Sequence, residues 1–371
     1  EPIDRRKVVE GCSETQWSPS DLLFQFNLWM YPANDRALLQ IKMSCNIVFS
    51  MRTTIDLFAG AGGASTGLRN AGFHHELCVE WDKDAASTLV AAGLPGVHGD
   101  VRHFIHYDNL EHVDLMWASP PCQAFSHAGK RQGALDDRNG WPWTLDVIDH
   151  LRSRGIGPEY VICENVPGMT YHSSDCDLSD HEKCSGCYWE DWVQPEFSKR
   201  FSWVGTVILD AADFGVPQHR KRVFLVAGPR PVAWPQKTHC SPDKVNQQAM
   251  FGPLMKPWVS IGTALGIDTT IIGGGTNPRE PEGKRTYRDI TNEPSTTVAA
   301  VQIGNAGPFI VDEDGRRLTW RECAVLQGFP IGHPFQGDIQ SSMYKQVGNA
   351  VCPIVSEVLG RCLLKTIASS L

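Results

Sequence analysis

Short apolar runs alternate with polar, helix-like segments between about residue 51 and residue 229. Two of these runs, residues 113–118 and 160–163, are predominantly apolar. Strands that carry helices on both faces have this pattern, because neither face of the sheet meets water. The pattern predicts an α/β fold with a doubly wound, mostly parallel sheet.

The other segments differ in character. From residue 230 to 340, proline and glycine become frequent and no helical period is sustained, which predicts a smaller irregular domain. Residues 341–371 are expected to return to the sheet domain. Residues 1–50 match neither pattern, and we interpret them as an unassigned N-terminal extension, either a translational extension or a family-specific arm.

Chemically useful side chains stand where the predicted strands end. The first strand runs into a glycine-rich turn at residues 58–63, and the second ends at Glu80 and Trp81. Ligands bind at this edge of open α/β sheets, where glycines let the backbone approach a nucleotide-like molecule. Glu80 suits ribose hydroxyls, the ring of Trp81 suits stacking on a purine, and Asp100, after a third strand, suits an adenine amine. A helix cap or a solvated turn is the alternative for each acid.

A thiol follows another strand end. Two prolines stop the run at residues 113–118, and they are expected to hold Cys122 at the sheet edge. A further strand ends at Glu164, where partial burial would suit a proton donor. A basic cluster that contains Arg220 and Arg222 leads into the next strand. A thiol nucleophile that acts on a nucleobase would need such partners.

Six sequence blocks occur in one order. They are Phe-x-Gly-x-Gly-Gly from Phe58, Pro-Cys-Gln from Pro121, Glu-Asn-Val from Glu164, Gln-x-Arg-x-Arg from Gln218, Arg-Glu-x-x-x-Leu-Gln-Gly-Phe-Pro from Arg321 and Gly-Asn-Ala-Val from Gly348. Each block alone is a weak or moderate signal, whereas the six together are highly specific. From about residue 51 to its end, the chain resembles the cytosine-C5 DNA methyltransferases.

The resemblance implies a Rossmann-like methyltransferase with S-adenosylmethionine as methyl donor, S-adenosylhomocysteine as product and cytosine in double-stranded DNA as acceptor. It makes residues 51–229 the catalytic, cofactor-binding domain and residues 230–340 the target-recognition domain. Residues 341–371 then close the cofactor pocket. That pocket is expected to be formed by Phe58, Gly60, Gly62, Gly63, Glu80, Trp81, Asp100, Pro120, Asn349 and Ala350.

The resemblance also implies the catalytic roles. Cys122 would attack C6 of a cytosine that is flipped out of the duplex, which makes a covalent intermediate. Glu164 would deliver a proton to N3 or share one with it, and Arg222 would hold O2 of the base. Arg220 would support the site or contact a phosphate group.

Net charge and loop composition bear on DNA binding. The net charge of −8 is unusual for a protein that binds phosphates, so the basic residues must be concentrated on one face. The candidate patches are Lys130 with Arg131, residues 219–222, and Lys284 and Arg285 with Arg288. Arg279, Lys284, Arg285 and Arg288 are the candidate readers of a short target in the major groove. A solvated charge is the alternative for each.

Three other functions would agree with part of the sequence. A dehydrogenase would use the glycine turn and Glu80 but would leave the Pro-Cys-Gln and Glu-Asn-Val blocks without a task. An RNA methyltransferase of the same architecture is closer, although the Cys-Phe-Thr signature of its tRNA-acting members does not occur here. A non-catalytic DNA-binding homologue is disfavoured, because Cys122, Glu164, Arg220 and Arg222 are all present.

The segment between Gly168 and Phe201 holds a separate motif, Cys176-x4-His181-x2-Cys184-x2-Cys187. Three thiolates and one imidazole at this spacing suit a closed, tetrahedral structural zinc site. The alternative is a loop with cysteines and a surface histidine, and the sequence leaves both open.

Cellular context follows from composition. The 12 cysteines do not suggest a disulfide scaffold, no long apolar run predicts a membrane span, and no signal-peptide pattern occurs. We expect a monomer in the cytoplasm of a prokaryote, or in the nucleus if the source is eukaryotic. A cognate restriction enzyme is the further partner we expect.

Overall fold

The computed structural model describes residues 51–121, 138–172, 176, 184–248, 255–276, 285–300, 309–310 and 316–369, with the backbone alone for residues 246–248, 272–276, 285–288 and 309–310. Several sequence predictions concern residues outside the described part of the chain. These are the extension 1–50, Cys122, Lys130, Arg131, His181, Arg279 and Lys284.

The chain forms twelve strands and ten helices in its described part. The strands are β1 (Thr53–Leu57), β2 (His74–Glu80), β3 (Gly96–His98), β4 (Leu115–Ala118), β5 (Tyr160–Asn165), β6 (Trp203–Asp210), β7 (Lys221–Gly228), β8 (His239–Cys240), β9 (Lys256–Pro257), β10 (Ile271–Thr276), β11 (Arg285–Asp289) and β12 (Phe309–Ile310). The helices are α1 (Gly63–Ala71), α2 (Lys83–Ala91), α3 (Gly140–Ser153), α4 (Ser185–Tyr188), α5 (Gln194–Arg200), α6 (Pro242–Gln248), α7 (Ile261–Leu265), α8 (Trp320–Leu326), α9 (Gln340–Asn349) and α10 (Pro353–Ala368). A π-helical turn, Trp189–Val193, joins α4 to α5.

The main sheet has seven strands in the order β3-β2-β1-β4-β5-β7-β6. Its pairs from β3 to β5 are parallel, whereas β7 runs antiparallel to both β5 and β6. The predicted doubly wound, mostly parallel α/β sheet is therefore confirmed. The strand order reverses between β1 and β4, and the crevice at the carboxyl ends of these two strands is the expected ligand site of such a sheet.

Both faces of the sheet are covered, as the near-continuous apolar strands predict. Along β4, Met116 and Ala118 pack in a cluster with Trp141 of α3, while Leu115 and Trp117 pack in a second cluster with α1 and α10. Successive side chains of a strand point to opposite faces, so a strand without polar positions must have a helix layer on each side.

A third apolar cluster connects the region after residue 230 with helices α8 and α9. It contains Ile271 and Ile290 beside β10 and β11, Leu326 of α8, Val347 of α9 and Ala61 of the glycine turn. Residues 51–371 form one compact unit. The domain boundaries at 229/230 and 340/341 stay predictions.

The segment Gln340–Ala368 is the one stretch within the described chain that is long and apolar enough to cross a membrane. It consists of α9 and α10, and 61% of its most apolar window is buried. Helix α10 packs on α1, which is typical of a core helix.

Candidate active site

The glycine-rich turn begins where β1 and β4 end side by side. The amide of Ser119 donates to the carbonyl of Leu57 at 3.1 Å, which joins the two strand ends. Phe58 follows with φ of 57°, a left-handed conformation that is costly for a residue with a side chain. Strain of this kind is concentrated at functional sites, and here it shapes the turn at the predicted crevice.

Glu80 holds this turn in place. Its Oε2 accepts the amide of Gly60 at 2.7 Å, and its Oε1 accepts the amide of Asp82 at 2.7 Å. Burial raises the pKa of Glu80 above its usual range, although both amide hydrogen bonds act in the opposite direction. Glu80 thus connects the glycine turn to the start of α2, and its predicted contact with ribose hydroxyls would use the remaining lone pairs.

Trp81 and Asp100 flank Glu80 in different environments. The side chain of Trp81 is 67% exposed, so its ring is available to a ligand. Asp100 pairs with Arg102 through two hydrogen bonds from Nε at 3.0 Å and one from Nη2 at 2.5 Å, and this guanidinium holds the pKa of Asp100 below its usual range. An adenine amine at Asp100 would therefore share the carboxylate with Arg102.

Sequence analysis missed the aromatic contact made by Arg102. Its guanidinium lies 4.4 Å from the ring centre of Trp143, which in turn stacks on Phe58 at 6.5 Å. The position of Arg102 two residues after Asp100 was a signal for the ion pair. The contact with Trp143 joins distant parts of the chain and leaves no local signal.

The C-terminal segment packs beside the same turn. From α9, Lys345 forms an ion pair with Asp82 at 2.7 Å, and Gln346 accepts from Thr88 of α2 at 2.7 Å. Asn349 is exposed at the end of this helix, while Ala350 is buried. The structure thus brings α9, which ends at Asn349 of the Gly-Asn-Ala-Val block, next to α2 and its N-cap residue Asp82.

The turn offers room and chemistry for S-adenosylmethionine. A Cβ atom placed on Gly60 would meet no described atom within 4 Å, so space is open above the turn. A buried acid and an exposed indole border this space at Glu80 and Trp81. These residues fit an adenosyl group, since ribose hydroxyls need acceptors and a purine needs a flat apolar wall.

The predicted nucleophile lies outside the described residues, but the loop that leads to it is described. Pro120 is buried, and its carbonyl accepts a hydrogen bond from Nδ2 of Asn165 at 3.1 Å. Asn165 directly follows Glu164 at the end of β5. The amide therefore ties the start of the Cys122 loop to the strand end that carries the glutamate, a role that sequence reasoning did not assign.

Glu164 and Arg222 form an ion pair at the sheet edge. The Nε of Arg222 lies 2.9 Å from Oε1 of Glu164, and the two side chains are 16% and 11% exposed. The pairing of β5 with β7 explains the contact, because Glu164 stands opposite Phe224, two residues from Arg222. The strand period of two places Arg222 on the same face. The carboxylate and the guanidinium together could bind the polar edge of a pyrimidine.

Arg220 has a different environment, although it is two residues away. Its side chain is buried and donates to the carbonyls of Val298 at 3.2 Å, Gly348 at 2.9 Å and Ala350 at 3.0 Å. This guanidinium joins the segment at Val298 and the Gly-Asn-Ala-Val block to the start of β7. Burial of this guanidinium and its bonds to backbone carbonyls favour the supporting role of Arg220 over a contact with a DNA phosphate, and both roles stay predictions.

Two buried glutamines extend the same network. Gln218 donates to Gln327 at 2.7 Å and accepts from the amide of Val298 at 2.9 Å, while Gln327 donates to the carbonyl of Ala350 at 2.5 Å. The Gln-x-Arg-x-Arg, Leu-Gln-Gly-Phe-Pro and Gly-Asn-Ala-Val blocks are therefore one hydrogen-bonded unit. A buried polar network of this kind fixes a unique arrangement when its members are paired.

The candidate DNA-contact residues are only partly described. Lys221 is exposed beside the active-site pair, and His219 is held by Asp210 at 3.0 Å. Arg285 and Arg288 lie on β11, which pairs with β10 in antiparallel orientation. Their side chains lie outside the described part of the structure, so their DNA contacts stay predictions.

Three of the four predicted metal ligands lie together in the described part of the chain. Cys176, Cys184 and Cys187 lie in one cluster, and the imidazole in this cluster belongs to His172. His181, the histidine of the predicted ligand set, lies outside the described residues. His172 lies just before the motif, after the turn that follows β5, so its spacing was not recognised.

Comparison with known proteins agrees with this geometry. The family model described as C-5 cytosine-specific DNA methylase matches residues 52–256 and 228–365. The "Type II methyltransferase M.NaeI" of Lentzea aerocolonigenes is 30% identical over 333 residues, which cover 83% of this chain and 73% of that protein. The "Type II methyltransferase M.AplI" of Arthrospira platensis is 28% identical, covering 88% of this chain and 90% of that protein.

Solved structures support the fold. The S. pombe Dnmt2 methyltransferase superposes with a TM-score of 0.58 at 19% identity, over 85% of this chain and 99% of that one. The Entamoeba histolytica methyltransferase EhMeth gives a TM-score of 0.53 at 15% identity, over 86% and 99% of the two chains.

The strand-end turn, the Glu164–Arg222 pair and the matched blocks thus define an S-adenosylmethionine-dependent methyltransferase. The chain belongs to the C-5 cytosine-specific DNA methylase family. It is a DNA cytosine-5 methyltransferase, and the dehydrogenase alternative does not hold.

Proposed function

We propose that this protein methylates C5 of one cytosine within a short duplex sequence, with Cys122 as nucleophile, Glu164 as proton donor and Arg222 as a ligand of the base. The observation that carries the assignment is the Glu164–Arg222 ion pair at 2.9 Å, beside the Pro120 loop that leads to Cys122. A cytosine inside a duplex is not accessible to these groups, so the base must be flipped out.

The reaction requires a nucleophile from the protein, because C5 of cytosine is itself too weak a nucleophile to attack the methyl group. The Cys122 thiolate adds to C6, breaks the aromaticity of the ring and makes C5 an enamine carbon. A proton that Glu164 delivers to N3 or shares with it stabilises this enamine, while Arg222 holds O2. When bound, S-adenosylmethionine supplies an electrophilic sulfonium methyl group, and C5 takes it. A base then removes the C5 proton, the bond from C6 to sulfur breaks, and Cys122 leaves as thiolate.

Cofactor binding is proposed at the glycine turn. Glu80 would accept ribose hydroxyls, Trp81 and Phe58 would contact the purine, and Asp100 would meet its amine. The exposed ring of Trp81 and the open space above Gly60 support this placement. Residues Gly62, Gly63, Pro120, Asn349 and Ala350 complete the proposed pocket.

Target recognition is proposed for about residues 231–300. Catalytic blocks are absent from this span of the sequence, and Arg285 and Arg288 stand on one strand there. A bidentate arginine–guanine contact is worth about 1–3 kcal/mol of discrimination. Replacement of both arginines should therefore relax the site or weaken binding.

The two sequence relatives named above, from Lentzea aerocolonigenes and Arthrospira platensis, are Type II methyltransferases, and this supports a role in restriction–modification. We propose that the chain acts as a monomer in the cytoplasm of a prokaryote and protects DNA from a cognate restriction enzyme. Plasmid DNA from cells that express the chain should then resist one endonuclease specificity and no other.

The function is tested by incubating the protein with tritium-labelled S-adenosylmethionine and either duplex DNA or tRNA. The measurement is whether the DNA, the tRNA or neither of them takes up tritium. Bisulfite sequencing of a methylated plasmid then gives the target. A duplex with 5-fluorocytosine at that target should form a covalent adduct, because fluorine blocks the last elimination, and Cys122→Ser should form none. An adduct in the Ser variant, or label in tRNA alone, would contradict the proposal.

A further inference from the structure

A cluster of three cysteines and one histidine lies beside the segment that follows β5. It comprises His172, Cys176, Cys184 and Cys187, with one ligand atom from each within 4.8 Å of the others. We propose that these four residues bind one structural zinc ion.

The interatomic distances suit a tetrahedral ion. The sulfurs of Cys176 and Cys187 are 3.3 Å apart, and Nδ1 of His172 lies 3.6 Å from the sulfur of Cys184 and 3.4 Å from that of Cys187. Zinc bonds of about 2.3 Å to sulfur and about 2.0 Å to nitrogen would separate two sulfurs by about 3.8 Å and a sulfur from a nitrogen by about 3.6 Å. The nitrogen–sulfur distances already agree, and the sulfur pair would open by a few tenths of an ångström.

The second nitrogen of the histidine gives an independent indication. While Nδ1 of His172 faces the sulfurs, its Nε2 lies 3.3 Å from a carboxylate oxygen of Glu190. Histidines that bind zinc usually donate their other N–H to a carboxylate or carbonyl, which fixes the tautomer and the orientation of the ring. The same arrangement is present here.

The backbone brings these ligands together by close packing. The amide of Gly186 donates to the carbonyl of Tyr171 at 3.2 Å, and Ser185 donates to that of Gly168 at 2.8 Å. A Cβ atom on Gly186 would lie 2.7 Å from the amide nitrogen of His172, so only glycine permits this approach. The Cys184–Cys187 turn is thus pressed against the histidine.

The proposed ion would have a structural role. Four protein ligands leave no open position for a substrate, and Cys184 and Cys187 are buried, with 3% and 4% exposure. The ion would connect the segment that follows β5, the strand of Glu164, with α4 and the π-helical turn. Trp189 of this turn packs in the core. It would stabilise this side of the active site without taking part in methyl transfer.

The first experiment measures metal content. The full chain, purified without a metal-affinity tag and dialysed, should contain about one zinc per molecule by plasma mass spectrometry. The Cys184→Ser/Cys187→Ser variant should contain none, and the matched variant Cys362→Ser, on α10 and outside the cluster, should keep it. If the double variant does not fold, the cobalt(II) form of the wild type should still show the charge-transfer and visible bands of a tetrahedral thiolate site.

The second experiment identifies the histidine. His172→Ala should weaken zinc binding by at least about tenfold in competition with a chelator, whereas His181→Ala should leave it unchanged. The opposite result would overturn the ligand set. Absence of zinc from a fully active preparation, or a disulfide between Cys176 and Cys187 in non-reducing peptide mapping, would overturn the site itself.

Discussion

Arg220 and Arg222 stand two residues apart in one motif, and the structure predicts opposite consequences when each is replaced. The Arg220 guanidinium is buried and donates to three backbone carbonyls, whereas Arg222 pairs with Glu164 at the sheet edge. Arg220→Ala should mainly reduce stability, and Arg222→Ala should mainly reduce methyl transfer.

The magnitude for Arg220 follows from its contacts. A hydrogen bond to a charged group is worth about 1.5–3 kcal/mol, and Arg220→Ala removes this donor from the carbonyls of Val298 and Gly348, whereas the carbonyl of Ala350 keeps Gln327. Because the three bonds share one guanidinium and the segments relax in part, we expect a loss of about 3–4 kcal/mol rather than the full sum. At about 2–4 °C per kcal/mol in medium-sized domains, the melting temperature should fall by roughly 5–10 °C in this larger chain.

The assay combines thermal unfolding with tritium transfer. Lys221→Ala is the matched stability control, since this exposed side chain should change stability by no more than about 0.5 kcal/mol. Below all the transitions, Arg220→Ala should keep its activity per folded molecule within about tenfold, while Arg222→Ala should lose about a hundredfold or more. The reasoning fails if Arg220→Ala melts together with Lys221→Ala, or if Arg222→Ala retains full turnover.

Three further outcomes are expected. Glu80→Gln should weaken S-adenosylmethionine binding about tenfold or more in calorimetry, because an uncharged amide is a poorer acceptor of ribose hydroxyls, and unchanged affinity would make Glu80 purely structural. Burial raises the pKa of Asp56 from 3.8 to about 7, so its contribution to stability is complete below about pH 4 and is lost as pH rises to about 7. In the wild type, His75 acts in the opposite direction over much of this range, because burial lowers its pKa to about 3, so the test is the difference in unfolding free energy between the wild type and Asp56→Asn. In urea unfolding this difference should change by up to about 1.4 kcal/mol per pH unit between about pH 4 and pH 7, and a difference that does not change with pH would exclude the assignment. Gly348→Ala should destabilise the fold by several kcal/mol, as overpacking of a core does, because the new Cβ atom would lie 2.2 Å from the amide nitrogen of Ala300. A melting temperature like that of the wild type would show that the segments of Gly348 and Ala300 separate freely.

Much of the architecture is local in origin. The run around Leu115–Ala118 has apolar residues at successive positions, and this predicts a strand covered on both faces, as observed. The side chains expected at strand ends, such as Glu80 and Glu164, do stand at the carboxyl edge of the sheet. Strand period and turn composition are properties of neighbouring residues, so they can be recognised without a fold.

Other features required the tertiary structure. The apolar pattern of β7 does not indicate the direction of this strand in the sheet. Only the pairing of β7 with β5 and β6 shows that β7 is antiparallel to both. The same pairing places Arg222 on Glu164.

What the sequence by itself determined was therefore the class of fold, the order of the blocks and the chemistry they can perform. Only the folded chain showed that the Arg220 guanidinium is buried against backbone carbonyls and that His172 lies with the three cysteines. The physical reason is distance along the chain. Arg220 meets partners 78, 128 and 130 residues away, and contacts of that span depend on how whole elements pack rather than on any local pattern.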